Sequence, residues 1–229
     1  MRVLTWTTRN ADPSAGIIAR IEDEQPLVVL DRAVLDDAQD VVALVREHRH
    51  VVVWSGNSHG GSFERDPRIW SPQVRARLVE RCASLQDQLR DTPNRVIVRS
   101  HCRHVVSDLP ACRWFCEEIR SENVGLCVDV SSIFERSMMD RVEDHMCRLL
   151  GEVTCVDLVL VREPLVDPGA PGDALPVGVP LGTTGAGLAH IGRLLEELHA
   201  RGADIVLDGD NATPQSQLDA LARACPGTP

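Results

Sequence analysis

The strongest constraint on this chain is its rhythm. Short runs rich in valine, isoleucine and leucine alternate with longer segments of helical period. The runs cover residues 2–6, 26–30, 50–54, 95–99, 124–130, 156–162 and 203–207. Most are apolar almost throughout, the pattern of parallel strands covered on both faces rather than of half-exposed antiparallel strands. Between them, segment 35–47 places Val41, Val42, Leu44 and Val45 at helical spacing behind an acidic start. Segment 72–89 opens on Ser71-Pro72, a capping residue followed by proline at the first helical position. Segments 109–121, 138–150 and 188–200 continue the series, the last closed by Gly202. Residues 214–224 read as a short terminal helix before a frayed tail over 225–229.

Regular strand–helix alternation predicts an α/β fold with a parallel sheet and right-handed crossovers. Seven runs are one fewer than a (β/α)8 TIM barrel requires. Either a further strand lies around residues 17–21, or one unit is missing and the barrel is shortened or irregular on its N-terminal side. A single domain over residues 1–229 is expected from the length. Its one irregular stretch is the loop 164–187, rich in proline and glycine and placed directly after a strand, where lids and binding loops occur.

Composition narrows the functional classes. A formal charge of −10 argues against a general nucleic-acid binder, which needs a clustered basic surface to neutralise phosphates. No apolar run is long enough to span a bilayer, and no basic start leads into a signal-peptide core. Cytoplasmic residence is the default expectation, with no nucleic-acid or membrane partner; the oligomeric state is left open. The eight cysteines contain no Cys-x-x-Cys. Cys112 and Cys116 share a helical face, but without a second pair they make a poor zinc signal. Cys127 and Cys155 read as small core residues, and reduced structural thiols are expected throughout.

Chemistry in a parallel α/β protein collects at the carboxyl ends of the strands. Asp129 ends the apolar run 124–130 just before a polar turn. If the runs close into a barrel, one rim gathers Trp54, Asn57, His59, Arg99, His101, His104, Asp129, Ser131, Ser132, Arg162, Glu163, Asp208 and Asp210. Arg99 and Arg162 offer planar forks for a phosphate or carboxylate, or else they pair with Asp129, Glu163 or Asp208 and plug the mouth. His101 and His104 are borderline metal ligands beside Asp129, against a plain solvated loop. Residues 57–61 form either an anion cradle of backbone N–H groups or a connecting loop. Residues 182–187 lack dinucleotide spacing and read as a flexible turn. Ser131 and Ser132 lack the glycines of a nucleophile elbow.

Three segments, in order, resemble the xylose isomerase-like TIM barrels, a group of sugar and sugar-phosphate isomerases and epimerases that also includes apurinic-site endonucleases. Residues 125–134 resemble their strand ending in Asp-Thr-x-His. Residues 156–163 resemble the next strand, which ends in a histidine followed by an acid. Val179-Pro180-Leu181-Gly182, the helical segment 188–200, Gly202 and Ile205-Val206-Leu207-Asp208 resemble their closing unit. Residues 51–56 and 96–100 resemble two earlier strands more weakly. The resemblance implies strand-end acids and histidines holding divalent metals that polarise a hydroxy-carbonyl or phosphate. Carried over position by position, most of these ligands are replaced. Trp54 stands for a histidine, Arg99 for a glutamate, and Ser132 for the histidine partner of Asp129. Leu160 falls near the next histidine, Gly178 or Val179 at the loop histidine, and Asp208 at the final glutamate.

A guanidinium in place of a carboxylate repels a cation ~4 Å away by a few kcal/mol even at intermediate dielectric. No metal or other cofactor is therefore expected. The implied function is a sugar or sugar-phosphate isomerase- or epimerase-like protein with a degenerate metal site, binding a small anionic polyol. In that reading Asp129 and Glu163 are the catalytic residues. Trp54, His59, Arg99, His101, Ser132, Arg162 and Asp208 contact the ligand. The alternative is a catalytically inactive, metal-free binding or interaction module. An endonuclease is disfavoured by the acidic charge and the lost multi-metal site.

Overall fold

Hydrogen bonding joins the apolar runs into a ring. The computed structural model describes residues 3–7, 15–20, 27–36, 38–48, 50–59, 63–181, 183 and 189–208. Among them are ten strands: β1 (Val3–Thr7), β2 (Ala15–Arg20), β3 (Leu27–Ala33), β4 (His50–Trp54), β5 (Arg95–Arg99), β6 (Val124–Asp129), β7 (Leu158–Val161), β8 (Glu163–Leu165), β9 (Val177–Val179) and β10 (Asp204–Asp208). Eight of them close a barrel in the order β1-β10-β7-β6-β5-β4-β3-β2. The expectation of a further strand near 17–21 is met by β2, which brings the ring to eight strands. The irregularity lies in direction, since β2 runs antiparallel to both β1 and β3 while every other neighbouring pair is parallel. Its cause is chain length. Connections 8–14 and 21–26 are shorter than the dozen or so residues that a parallel crossover needs.

The helices are α1 (Ala38–Glu47), α2 (Pro72–Leu89), α3 (Leu109–Glu118), α4 (Val142–Glu152) and α5 (Ala189–Ala200). Ser71 caps α2 by accepting from the Val74 N–H at 3.4 Å, and Asp108 caps α3 by accepting from Ala111 N–H at 2.8 Å. The segment expected as a helix from residue 138 opens instead with a 3-10 turn over Arg136–Arg141, and α4 follows. The expected terminal helix 214–224 and the tail 225–229 lie outside the described residues.

The two-residue period of the strands sorts side chains into two cores. Outward-facing Val51, Val53, Val96, Val98, Leu126, Val128, Val159 and Val161 are buried together with α2 residues Leu78 and Leu85, Phe115 of α3 and Leu149 of α4. Inward-facing Val29, Val52, Ile97, Cys127, Leu158, Leu160 and Val206 fill the barrel itself. With an apolar plug below them, the next inward positions toward the carboxyl ends are the ones that build the mouth.

Two expectations are corrected here. Within the stretch read as an irregular loop, β8 and β9 pair as an antiparallel hairpin, with Pro164 opposite Gly178. Cys116 and Cys155, read as reduced thiols, form a disulfide with Cα atoms 6.1 Å apart. The last turn of α3 and the approach to β7 both lie at the amino-terminal end of the barrel, which brings these two residues together. No helix among the described residues is long and apolar enough to cross a membrane.

Candidate functional site

Continuing each strand by one inward step past the apolar plug places Trp54 above Val52, Arg99 above Ile97, Asp129 above Cys127 and Arg162 above Leu160. Trp54 and Arg99 are also partners in the β4–β5 register. The guanidinium carbon of Arg99 lies over the Trp54 ring at 3.9 Å from its centre, a cation–π contact that fixes the base of the mouth.

Asp129 is the hub. It is completely buried, and hydrogen-bond donors surround its carboxylate. Oδ2 accepts from Arg99 Nε at 2.8 Å, from Arg99 Nη2, from Arg162 Nη2 at 3.0 Å and from the Ser132 hydroxyl at 2.7 Å. Oδ1 accepts from the Ser131 hydroxyl at 2.9 Å and from Ser132 N–H at 3.4 Å. The Asp129 N–H donates to the Ser100 hydroxyl oxygen at 3.0 Å. Burial alone would raise the Asp129 pKa. Arg99, Arg162 and the Ser132 hydroxyl outweigh it and hold the carboxyl far below the usual carboxylate range. Burial works against the charge on Arg99, and Asp129 opposes that effect. Two guanidiniums thus share the Asp129 carboxylate.

Room for Arg162 comes from a missing side chain. A Cβ on Gly178 of β9 would lie 2.6 Å from Arg162 Nε and 2.6 Å from Ser131 Oγ. The hairpin backbone therefore lies flush on the guanidinium.

Beside Arg99, four rings meet. Trp54 makes edge contacts with Phe63, His101 and His104 at centroid distances of 5.4, 5.2 and 5.5 Å, and Phe63 stacks on His104 at 4.9 Å. His101 Nδ1 accepts from Arg103 N–H at 3.0 Å, so the neutral ring carries its proton on Nε2. Burial, and after it the neighbouring His104, pushes the His101 pKa down to about 3. His101 is thus a neutral N–H donor at ordinary pH.

The structure brings Trp54, Arg99, Asp129, Ser132 and Arg162 into one cluster, with His101 on its flank. Glu163 is buried in β8 next to Arg162. His59 stands apart: it is exposed, contacts Arg68 and lies 3.9 Å from Asp66. Asp208 ends β10 in register with residue 6 of β1; its side chain, Asp210, Gly60 and Gly61 lie outside the described residues, as do all of 182–187 except Thr183. Sequence reasoning missed Phe63. Its one signal was rarity, as one of three phenylalanines in a chain without tyrosine.

No protein-family model matches this sequence, and neither does any curated protein. Solved structures do match. A xylose isomerase-like TIM barrel protein from Mycobacterium smegmatis, in complex with magnesium, superposes with a TM-score of 0.54 at 18% identity, over 83% of this chain and 67% of its own. A xylose isomerase domain protein from Planctomyces limnophilus gives 0.52 at 15% identity, over 82% of this chain and 62% of its own. The probable 3-DHS dehydratase AsbF involved in petrobactin synthesis from Bacillus anthracis gives 0.50 at 14% identity, over 83% and 69%. The chain has the xylose isomerase-like TIM-barrel fold.

A barrel of this type raises the question of a divalent cation, since magnesium accompanies one of the matching structures. The donor set here does not fit one. The lone pairs of Asp129 already receive two guanidiniums and two hydroxyls, and the guanidiniums stand where a cation would be repelled. Among the described residues no group of three or more histidine, cysteine, aspartate or glutamate side chains is placed to hold a metal ion. A carboxylate held far below its usual range, with its oxygens occupied, is a poor proton acceptor.

Proposed function

We propose that this xylose isomerase-like barrel binds a small anionic polyol, of the sugar or sugar-phosphate class, at its C-terminal mouth without a divalent metal. One observation carries the reading: Arg99 and Arg162 converge at the ring of strand ends, where the Ser131 and Ser132 hydroxyls meet them around Asp129. Arg162 is the outer of the two, with 19% of its side chain exposed against 7% for Arg99. It is therefore the guanidinium that meets a ligand phosphate or carboxylate. The Ser131 and Ser132 hydroxyls and the neutral His101 supply the uncharged hydrogen-bonding groups that a polyol needs. Fructose 6-phosphate in a calorimetric titration, with chelator present throughout, is the test. Binding is expected, and Arg162→Gln should weaken it by about tenfold or more, the usual scale for losing a charge-assisted hydrogen bond. Absence of binding to any of a panel of sugar phosphates in the wild-type chain would overturn the proposal.

Isomerase or epimerase chemistry is the second reading, favoured by Glu163, a buried acid that follows Arg162 in the chain. In it Glu163 replaces Asp129 as the base that moves a proton next to the ligand carbonyl, and Arg162 stabilises the developing enediolate oxygen. Exchange of the substrate's carbon-bound proton with deuterated solvent, lost in Glu163→Gln, would support it. No exchange in the wild-type protein would leave ligand binding alone.

A further inference from the structure

A second hollow opens on the same end of the barrel, outside the ring of strand ends. Its volume is about 580 Å3, and it is walled by the segments that follow β4, β5 and β6. None of Trp54, Arg99, Asp129, Ser132 and Arg162 lines it. The loop after β5 separates the two sites: His101 joins the ring cluster at the mouth, while Arg103 faces the hollow.

Three observations define what fits there. The first is a wall of apolar side chains, Ile69, Ile133 and Met138, closed by Trp70. Trp70 is 53% exposed, yet its ring is fixed because Nε1 donates to the Ser107 hydroxyl at 3.0 Å. A half-exposed, pre-oriented indole offers a planar face to another ring.

The second observation is charge. Glu135 sits between two arginines, accepting from Arg65 Nη2 at 2.7 Å and lying 3.6 Å from Arg103 Nε. This trio carries a net charge of about +1. The other acids of the wall are engaged elsewhere: Asp66 binds Arg68, and Asp108 caps α3.

The third is an unmet donor. Arg103 is only 7% exposed, and its buried Nε makes no hydrogen bond among the described residues, since Glu135 is too distant to accept one. Its Nη2 donates to the Asp173 carbonyl at 3.3 Å, and the guanidinium also reaches the Cys102 side chain. That Nε is sealed from the hollow, so a ligand there meets the accessible remainder of Arg103, a guanidinium whose hydrogen bonding is only partly satisfied.

From these we infer that the hollow beside the mouth is a binding site for a small aromatic monocarboxylate, its ring against Trp70 and its carboxylate on Arg103. The site is separate from the polyol site at the mouth and does not rest on it. The size suits such a ligand, because small-molecule sites span roughly 300–1,000 Å3 with few polar groups in an apolar wall.

Calorimetric titration of the full chain with phenylacetate tests this, alongside phenylacetamide, which has the same shape without the charge. Phenylacetate is expected to bind, and phenylacetamide to bind at least about tenfold more weakly. Trp70→Ala should weaken phenylacetate severalfold. Glu135→Gln should tighten it, because the competing acceptor for the guanidinium is gone; a purely structural role for Glu135 would not produce that gain. Saturating fructose 6-phosphate should leave phenylacetate binding unchanged, which separates this site from the mouth. No heat with phenylacetate, equal binding of the amide, or displacement by fructose 6-phosphate would overturn the assignment. So would a Glu135→Gln protein that folds yet binds no tighter.

Discussion

At the scale of single residues, Asp129 carries the most consequence. Removing one partner from a buried ion pair leaves the others uncompensated, at a cost of about 3–5 kcal/mol. Asp129→Asn should lower the unfolding free energy by about that much in a denaturant titration, because Arg99 would remain buried beside Arg162 without its anion. His101 makes the opposite kind of contribution. Its folded pKa, about 3, lies below the ordinary histidine value of 6.5. Between those values the unfolded chain takes up a proton that the folded chain refuses, so stability falls as the pH drops through this window, by up to about 1.4 kcal/mol per pH unit. In His101→Gln the stability curve should be flatter between pH 6.5 and about 3 when measured by denaturation at a series of pH values. Arg99, Asp129 and Arg162 were legible in the sequence because each is a polar residue at the inward end of an apolar, period-two run. Gly178 was legible only as one of two candidates, with Val179, for a replaced histidine. Its fit against Arg162 depends on a hairpin that brings two distant segments together, and no local pattern encodes that distance.

Among the elements, helix starts and strand runs were readable because their signals are local. Ser71-Pro72 opens α2 where capping chemistry places it, and Asp108 does the same for α3. The β8–β9 hairpin was not readable, since its three-residue strands lie inside a proline- and glycine-rich stretch whose composition says loop. The disulfide also escaped. Cysteine pairing follows from proximity in three dimensions, and the spacing of 39 residues between Cys116 and Cys155 carries no motif. It ties the last turn of α3 to the approach to β7, so the enclosed segment contains β6 and the Asp129 hub. Replacing both cysteines by serine should cost about 2–4 kcal/mol, seen as a lower melting temperature under non-reducing conditions. Wild-type protein treated with a reductant should melt at the temperature of the double variant.

For the whole molecule, the barrel was legible from alternation alone, and β2 was the only ring strand without a clear run. What could not be read was its reversed direction, which follows from two connections too short to cross over. The charge at the mouth yields the broadest prediction. Because Arg99 and Arg162 already compensate Asp129, a chelator or millimolar magnesium or manganese should leave the melting temperature unchanged, and elemental analysis should find no stoichiometric divalent ion. A metal-dependent shift of several degrees would contradict the donor geometry.

The flush seat of Gly178 on Arg162 has one more consequence. A side chain added at residue 178 cannot take its place without displacing the Arg162 guanidinium or the Ser131 hydroxyl from the Asp129 hub. A substitution in the hairpin therefore acts on the mouth as directly as one in the ring of strands.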